Sequence, residues 1–382
     1  IIRFQVTKIF QLPMDNIPGY LHAMSEKYGP VYTLFLPAPT VVVASYDTIK
    51  ESLVTKGEHF IGKRWGPSEA LMSNDTRNGG ILTAVGDNWR EQRRIVITIL
   101  RNFGMGKALM EEQVMRSVED LVDHINTIEY KSAVNMFLPI QYHNFIKSEV
   151  DAQVEEFKPN MPTNTFVQAY LQDMEKSNSS WLSVNQLYCV VSDFWMAGME
   201  TTSTTLRWAI LYMVKYPEIQ KKAQQEIDAI VGRDRYPTMQ DKPLMPYLSA
   251  IVLEIQRYAN IVPGIIHTCT SDQTIMGKTI YQGTDMIWHL YSVLAHDPAF
   301  EDTNSFRPER FLMEDGKTLR KFGAGKRQCS GEGLAKMELF LILAALLQKY
   351  EFHATSDHVD LTPKIGVILM PTDHPCTIVP RD

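Results

Sequence analysis

The chain reads as a succession of helices with a few short strands between them. In "ALMEEQVMRSVEDLVDHI" apolar residues return every third or fourth position, which lines them along one helical face. "GDNWREQRRIVITILRNFG" has the same period and predicts a helix ended by Gly104. A long, mostly apolar helix is expected from Asn185 to Lys215, stopped before Pro217, with "EIQKKAQQEIDAIVG" and "PYLSAIVLEIQRYAN" as further helices. Near the start, "IPGYLHAMSEKYG" predicts a helix and "VYTLFLPAPTVVVAS" a hairpin broken at Pro37 and Pro39. The stretch from Asp47 toward Lys56 predicts another helix. Alternation elsewhere is confined to "TIMGKTIYQGTDMIWHL", read as a small hairpin around Gln282 and Gly283, and to "LTPKIGVILMP" with "HPCTIVP". That last pair reads as a second hairpin, after a final helix that follows Cys329. The pattern predicts a predominantly α fold with small β-sheets. No Ser/Gly linker, charge block, low-complexity run or internal repeat marks a boundary, so residues 1–382 read as one large domain.

Composition narrows the function classes. With 382 residues, 45% hydrophobic and 21% charged, the chain can bury a large core and is not a disordered type. A formal net charge of -6 argues against a general nucleic-acid binder, while leaving room for a local basic patch. No apolar run has the length of a membrane span, and the opening "IIRFQVTKIFQLPMDNIPGY" is too polar for a signal peptide. Cys189, Cys269, Cys329 and Cys376 lie far apart, with no C-x-x-C pair, which predicts a reducing environment. The ten histidines show no zinc spacing, so a metal is expected to arrive inside a cofactor.

Four groups of residues carry candidate chemistry. Cys329 follows Lys326 and Arg327 and precedes a helix, where a thiolate is favoured, and Gly323, Gly325 and Gly331 let the backbone turn tightly around it. A buried structural cysteine stays open as a reading. A nucleophile lacks a nearby histidine base, and a thiolate ligand to haem iron fits better. Trp89 and Arg93, four apart on one helix, either grip carboxylates such as haem propionates or are a core tryptophan beside a surface arginine. Arg90, Arg94 and Arg101 lie on other sides of that helix and offer a basic patch to an acidic redox partner. In "DFWMAGMETTSTTLRW", Ala197 and Gly198 keep the helix wall low, the polar Glu200, Thr201 and Thr202 interrupt the apolar helix, and the acid beside the hydroxyl, Glu200 with Thr201, outlines a proton relay; the alternative is helix packing with back-bonded hydroxyls. Glu254 and Arg257, three apart, can pair, and Arg310 in "FRPERF" can join them, either at the surface or as a buried trio that pins the segment before Cys329.

Together and in this order, these motifs resemble the cytochrome P-450 superfamily, the haem-thiolate monooxygenases. "FGAGKRQCSG" matches the superfamily's F-x-x-G-x-R-x-C-x-G at every fixed position, "AGMETT" resembles its acid-alcohol helix, "EIQR" its E-x-x-R and "NWREQR" its W-x-x-x-R. "GEGLAKMELF", "RNFGMGK" and "YPEIQKKAQQEID" are most similar to the animal microsomal branch, which oxidises drugs, fatty acids and other lipophilic compounds. The resemblance implies haem b with Cys329 as axial iron ligand, Phe322 packed against the sulfur, and Gly325 and Gly331 in the turn around it. It implies Trp89, Arg93 and Arg327 at the propionates, with Ala197 in the helix wall beside the cofactor. His267 stands where members carry a propionate-binding His or Arg, one residue short in its spacing from Pro263. Glu200 and Thr201 are implied as the proton relay, Glu254, Arg257 and Arg310 as a structural trio, and Phe194, Ala197, Ile265, Val367 and Ile368 as parts of an apolar substrate pocket. The implied partners are an NADPH-dependent reductase on a basic proximal face, a lipophilic small molecule and a membrane surface, with no nucleic acid.

Three departures from the family pattern carry expectations of their own. The hydrophobic anchor of microsomal members is not matched, so the family's endoplasmic-reticulum address would become cytoplasmic if the chain were taken literally. Between about His124 and Asn144 the chain is a few dozen residues short, which removes the helix roofing the substrate site and one core helix. The link from Phe311 to Phe322 is also short, with Lys321 where a proline is usual, which puts delivery of Cys329 to the haem at issue. The expected activity is insertion of one oxygen atom into a lipophilic substrate. A non-catalytic remnant and a reductase-independent haem-thiolate isomerase are the alternatives, and the Glu200-Thr201 pair speaks against the isomerase.

Overall fold

The computed structural model describes residues 12–36, 38–66, 77–104, 108–127, 146–298, 300–312, 324–366 and 368–381, and the backbone alone of 4–5 and 142–145. By contact density the chain forms two units. One comprises Ile1–Phe60, Glu111–Asn135 and Thr201–Asp382; the other comprises Ile61–Met110 and Met136–Glu200. Helices dominate both, with small sheets in the first, as the apolar spacing predicts.

The first unit is built around a five-stranded sheet of β1 (Phe4–Gln5), β2 (Val31–Phe35), β3 (Pro39–Val43), β4 (Ile265–Thr268) and β7 (Asp285–Trp288), in the order β1-β2-β3-β7-β4. Pro39 does not break the hairpin. It opens β3 opposite Phe35, at a strand end where its missing N–H costs little. The second expected hairpin also shifts. Met276 and Gly277, at φ 47° and 71°, make the turn between β5 (Gln273–Ile275) and β6 (Lys278–Ile280), while the turn at Gly283 sends β7 away to pair parallel with β3 and antiparallel with β4. At the C-terminal end β9 (Lys364–Ile365) pairs with β10 (Leu369–Met370), and β11 (Cys376–Pro380) pairs instead with β8 (Tyr350–Ala354). The strand β8 continues directly from a helix and has no turn residue to announce it.

Helix α1 (Ile17–Tyr28) starts at Asn16, whose side chain accepts from Gly19 N, and lays Leu21 against Tyr32, Leu34 and Val42 of the sheet. Helix α2 (Tyr46–Lys50) starts with a Ser45–Thr48 capping box and runs into a π-helical turn, Glu51–Thr55. In the second unit, α3 (Gly86–Asn102), α5 (Tyr142–Glu156) and α6 (Phe166–Lys176) pack around Ile95, Ile99, Val150, Tyr170 and Leu187. Tyr170 donates to Gln92 Oε1 at 2.8 Å, and Gln92 Nε2 donates to the Trp181 carbonyl at 2.6 Å. Helix α4 (Ala108–Thr127) precedes α5, α7 (Val184–Lys215) is the long apolar helix and α8 (Pro217–Ile230) follows it; α5 and α6 carry no period clear enough to have been expected.

Helix α10 (Leu290–His296) holds a histidine cluster with α1. The rings of His22 and His296 stack at 3.7 Å, and the Ser292 hydroxyl lies 3.1 Å from His22 Nδ1 and 2.7 Å from Nδ1 of the buried His289. Burial lowers the pKa of all three histidines, His289 to about 3, their mutual repulsion adds to this at His289 and His296, and Glu26 opposes it at His22 and His296. Tyr291, edge-on to His296, completes the surroundings. An unfolded chain takes up these protons first, so the neutral cluster contributes stability above about pH 6.5 that is lost as the pH falls toward 3. The unfolding temperature is expected to drop between about pH 7 and pH 5, and His289→Asn, which cannot charge, should flatten that slope; a slope unchanged by the substitution would count against it.

Candidate functional site

The loop that carries Cys329 is seated on the turn after α2. Trp288 at the end of β7 donates from its indole to Ser52 Oγ at 2.7 Å, and Leu53 is buried with Val43, Phe60 and Trp288 in the core under the sheet. This fixes the carbonyl of Leu53, against which Gly325 lies. A Cβ on Gly325 would come within 1.8 Å of Leu53 O, and its φ of +71° is one that L side chains avoid. A Cβ on Gly57 would lie 3.9 Å from Gly325 Cα, and Lys326 pairs with Glu58 at 2.7 Å. Gly325–Arg327 forms a short 3₁₀ turn with Arg327 half-buried, and Cys329 emerges exposed two residues later. Helix α11 (Glu332–Lys349) begins just beyond, with Gly331 at its N-cap; a Cβ there would lie 4.0 Å from the Cys329 sulfur. The sulfur is therefore held near a helix N-terminus, where negative charge is favoured.

These observations suit a haem. A thiolate is a recognised axial ligand, Cys329 is exposed, and the backbone beneath it admits no side chain at Gly325. Phe322 lies outside the described residues, as does the link through Lys321. His267 on β4 is buried beside Trp288, ring centroids 5.2 Å apart. Ile265 on the same strand packs against the Trp288 core, and Ile368 is buried, whereas Val367 lies outside the described residues.

The structure brings Glu254, Arg257 and Arg310 together. Glu254 and Arg257 sit one turn apart on α9 (Pro246–Ala259), both fully buried, and are joined by two hydrogen bonds of 2.7 and 2.8 Å. Arg257 also donates to the carbonyls of Leu294, Thr303 and Ser305, so its whole fork is engaged. Arg310 reaches Glu254 Oε1 at 3.1 Å, the backbone N–H of Arg307 donates to the same oxygen at 2.9 Å, and Arg310 donates to the carbonyls of Glu301, Asp302 and Ser305. The trio nails the 301–310 segment to α9.

On α7, Ala197 and Gly198 are exposed, and a Cβ at Gly198 would meet nothing within 4 Å, so the helix wall is low there. Glu200 and Thr201 follow half-buried, and the Thr205 hydroxyl donates back to the Thr201 carbonyl at 2.8 Å. In the second unit, Trp89 on α3 is buried among Ile61, Ile81, Val96 and Val190, with the Arg93 guanidinium 6.0 Å from its ring centre. Phe194 meets Phe166 edge-on at 5.1 Å. Arg90 and Arg94, two members of the expected basic patch, are each paired one turn away, with Asp87 and Glu91, which leaves α3 less positive than its arginines suggest.

Two carboxylates escaped the sequence reading. Asp193 on α7 is buried and accepts from the N–H groups of Ile81 and Leu82 at 2.6 and 3.0 Å, and burial raises its pKa to about 6. It fastens the segment before α3 to α7, where Gly80 takes a φ of +68° that L side chains rarely adopt and a Cβ would lie 2.3 Å from the Asp193 carboxyl oxygen. The other is Glu338 on α11, whose Oε2 accepts from the Thr202 hydroxyl at 3.1 Å. An acidic residue inside an apolar run was the available signal at both positions.

The family model described as Cytochrome P450 matches residues 4–142 and 130–376. The chain is 31% identical to cytochrome P450 2C5 of Oryctolagus cuniculus, covering 98% of this chain and 92% of that protein. It is 31% identical to cytochrome P450 2C8 of Homo sapiens, with the same coverage, and 32% identical to cytochrome P450 2E1 of Bos taurus, over 98% and 91%. The alignment to the rabbit protein runs over 453 positions against 382 residues here, so the relative carries internal segments that this chain lacks. The two stretches of the family match meet within 130–142, the region where the chain reads short.

Proposed function

Because the chain belongs to the cytochrome P450 family, we propose that it inserts one atom of dioxygen into a lipophilic small molecule of the xenobiotic, fatty-acid or steroid class, with electrons passed from NADPH by a reductase. Haem b, when bound, supplies the redox-active iron of this oxidoreductase chemistry. Cys329 presents its sulfur to the metal from the turn that Gly325 and Gly331 allow. Trp89, Arg93, Arg327 and His267 hold the propionate carboxylates, and Ala197 leaves room for the ring. Glu200 and Thr201 hold and move protons, while Phe194, Ile265, Val367 and Ile368 exclude water from an apolar substrate. Residues 1–382 act as one functional domain in this reading. The family's address is the endoplasmic-reticulum membrane; among the described residues no helix is long and apolar enough to cross one.

The observation that carries the proposal is the exposed Cys329 at the end of a turn that only glycine can make against Leu53. With haem supplied, the reduced, carbon-monoxide-treated protein is expected to show a red-shifted, thiolate-type Soret band, and Cys329→Ser to lose it. A wild-type chain without that band would sink the reading. The gapped alignment favours one second reading, a folded remnant that binds haem poorly. Stoichiometric haem together with substrate-dependent product excludes it.

A further inference from the structure

Glu338 is a carboxylate in an expensive place. After it, "LFLILAALLQ" contains no charge until Lys349, and its immediate neighbours Met337, Leu339 and Phe340 are buried. Its one side-chain partner among the described residues is the Thr202 hydroxyl at 3.1 Å, and no cation offsets it. Lys336, the nearest lysine on the helix, is engaged with Glu332 at 2.6 Å. Burial pushes the Glu338 pKa up, and only the Thr202 bond opposes that shift. A half-buried carboxyl without a counter-charge stabilises poorly, and an apolar side chain of similar size would pack at least as well. Such a group points to a role other than stability.

Its position supplies the role. Thr202 directly follows Glu200 and Thr201 on α7, and Glu338 lies nine residues beyond Cys329, on the helix that starts at the cysteine loop. The hydrogen bond is thus a strut across 136 residues of sequence, from the acid-alcohol stretch to the helix that holds the thiol. A bond at Thr202 sets the azimuth of Thr201 one residue away.

We propose that Glu338 is a positioning residue for the acid-alcohol pair: by accepting from Thr202 it holds Thr201 in register with the Cys329 loop. This rests on the monooxygenase reading given above. Glu338→Leu should leave the unfolding temperature equal or higher. In the haem-free full chain it should raise amide hydrogen exchange at Thr201–Thr205 about fivefold, the factor one ordinary hydrogen bond supplies. In the haem-loaded protein the thiolate-type Soret band and KM should be kept while product per dioxygen consumed falls by a similar factor. Glu338→Gln, which can still accept from Thr202, should rescue both, and Thr202→Val should match Glu338→Leu with no further loss in the double variant. A purely structural Glu338 would move stability and leave coupling alone, which overturns the proposal, as would a glutamine variant as uncoupled as the leucine one. If haem never loads, the reading above fails by its missing Soret band, and the exchange measurement on the haem-free chain still decides the strut.

Discussion

Arg257→Ala is expected to cost ~3–5 kcal/mol, enough to lose most of the soluble protein. The wild-type guanidinium makes five hydrogen bonds, two to Glu254 and three to the carbonyls of Leu294, Thr303 and Ser305, in a place with no access to water. Truncation strands three carbonyls and takes from the buried Glu254 carboxylate one of its two cationic partners, leaving Arg310 and the Arg307 N–H. The loss does not come from Coulomb attraction alone, which a buried pair largely spends on desolvation; it comes from breaking a satisfied network and leaving the rest behind. Arg257→Lys keeps the charge but not the planar fork, so it should fall between the two. Thermal unfolding of the three proteins beside Arg116→Ala, which removes an exposed pair with Glu112, checks this. An Arg257→Ala protein within about 1 kcal/mol of wild type would mean that the trio is not the fastening described.

Gly325→Ala is the second large effect, and it should appear in the cysteine loop more than in the fold. Two costs combine. A φ of +71° charges alanine ~1–2 kcal/mol. The new methyl would also sit 1.8 Å from Leu53 O and 2.8 Å from its carbonyl carbon, both backbone atoms that the Ser52–Trp288 bond holds in place. Neither side can yield by a rotamer change, so the 3₁₀ turn must lift away and carry Cys329 with it. Gly283→Ala is the control, since it has a φ of +82° and nothing within 4 Å. Gly325→Ala should lose the thiolate-type Soret band at a temperature where it remains folded, while Gly283→Ala keeps the band and loses only a little stability. Equal behaviour of the two would show that the contact with Leu53 does not position the cysteine.

How much of this could be read from the chain differs from site to site. Glu254 and Arg257 announce themselves by their spacing, and Arg310 by its motif, because charges in an apolar helix need partners. The three carbonyls that complete Arg257 leave no mark on sequence, since every residue has one. The turn around Cys329 was legible in its glycines, but what makes Gly325 obligatory is Leu53, a contact from the other end of the chain. Hairpins failed for a related reason. Both Gly277 and Gly283 satisfy a turn, and only the parallel pairing of β7 with β3, a non-local event, decides which one joins adjacent strands. Glu338 and Asp193 each stand out only as an acid inside an apolar run, and neither the burial of Asp193 nor the bond of the half-buried Glu338 to Thr202 can be read from that.

The seat of the cysteine loop is made early in synthesis and completed late. Ser52 and Trp288, whose bond fixes that seat, are separated by 236 residues. At a ribosomal rate of roughly 5–20 residues per second, about 10 to 50 seconds pass between them. During that interval Val43, Ile49, Leu53 and Phe60 have no β7 to cover them, so the N-terminal hairpin waits with its apolar face open. Gly325 and Cys329 emerge later still, onto a surface that closes only when Trp288 has docked. On the role proposed for Cys329, capture of the cofactor therefore belongs to the nearly finished chain, and what guards the early segment until then is whatever holds nascent chains in the cell.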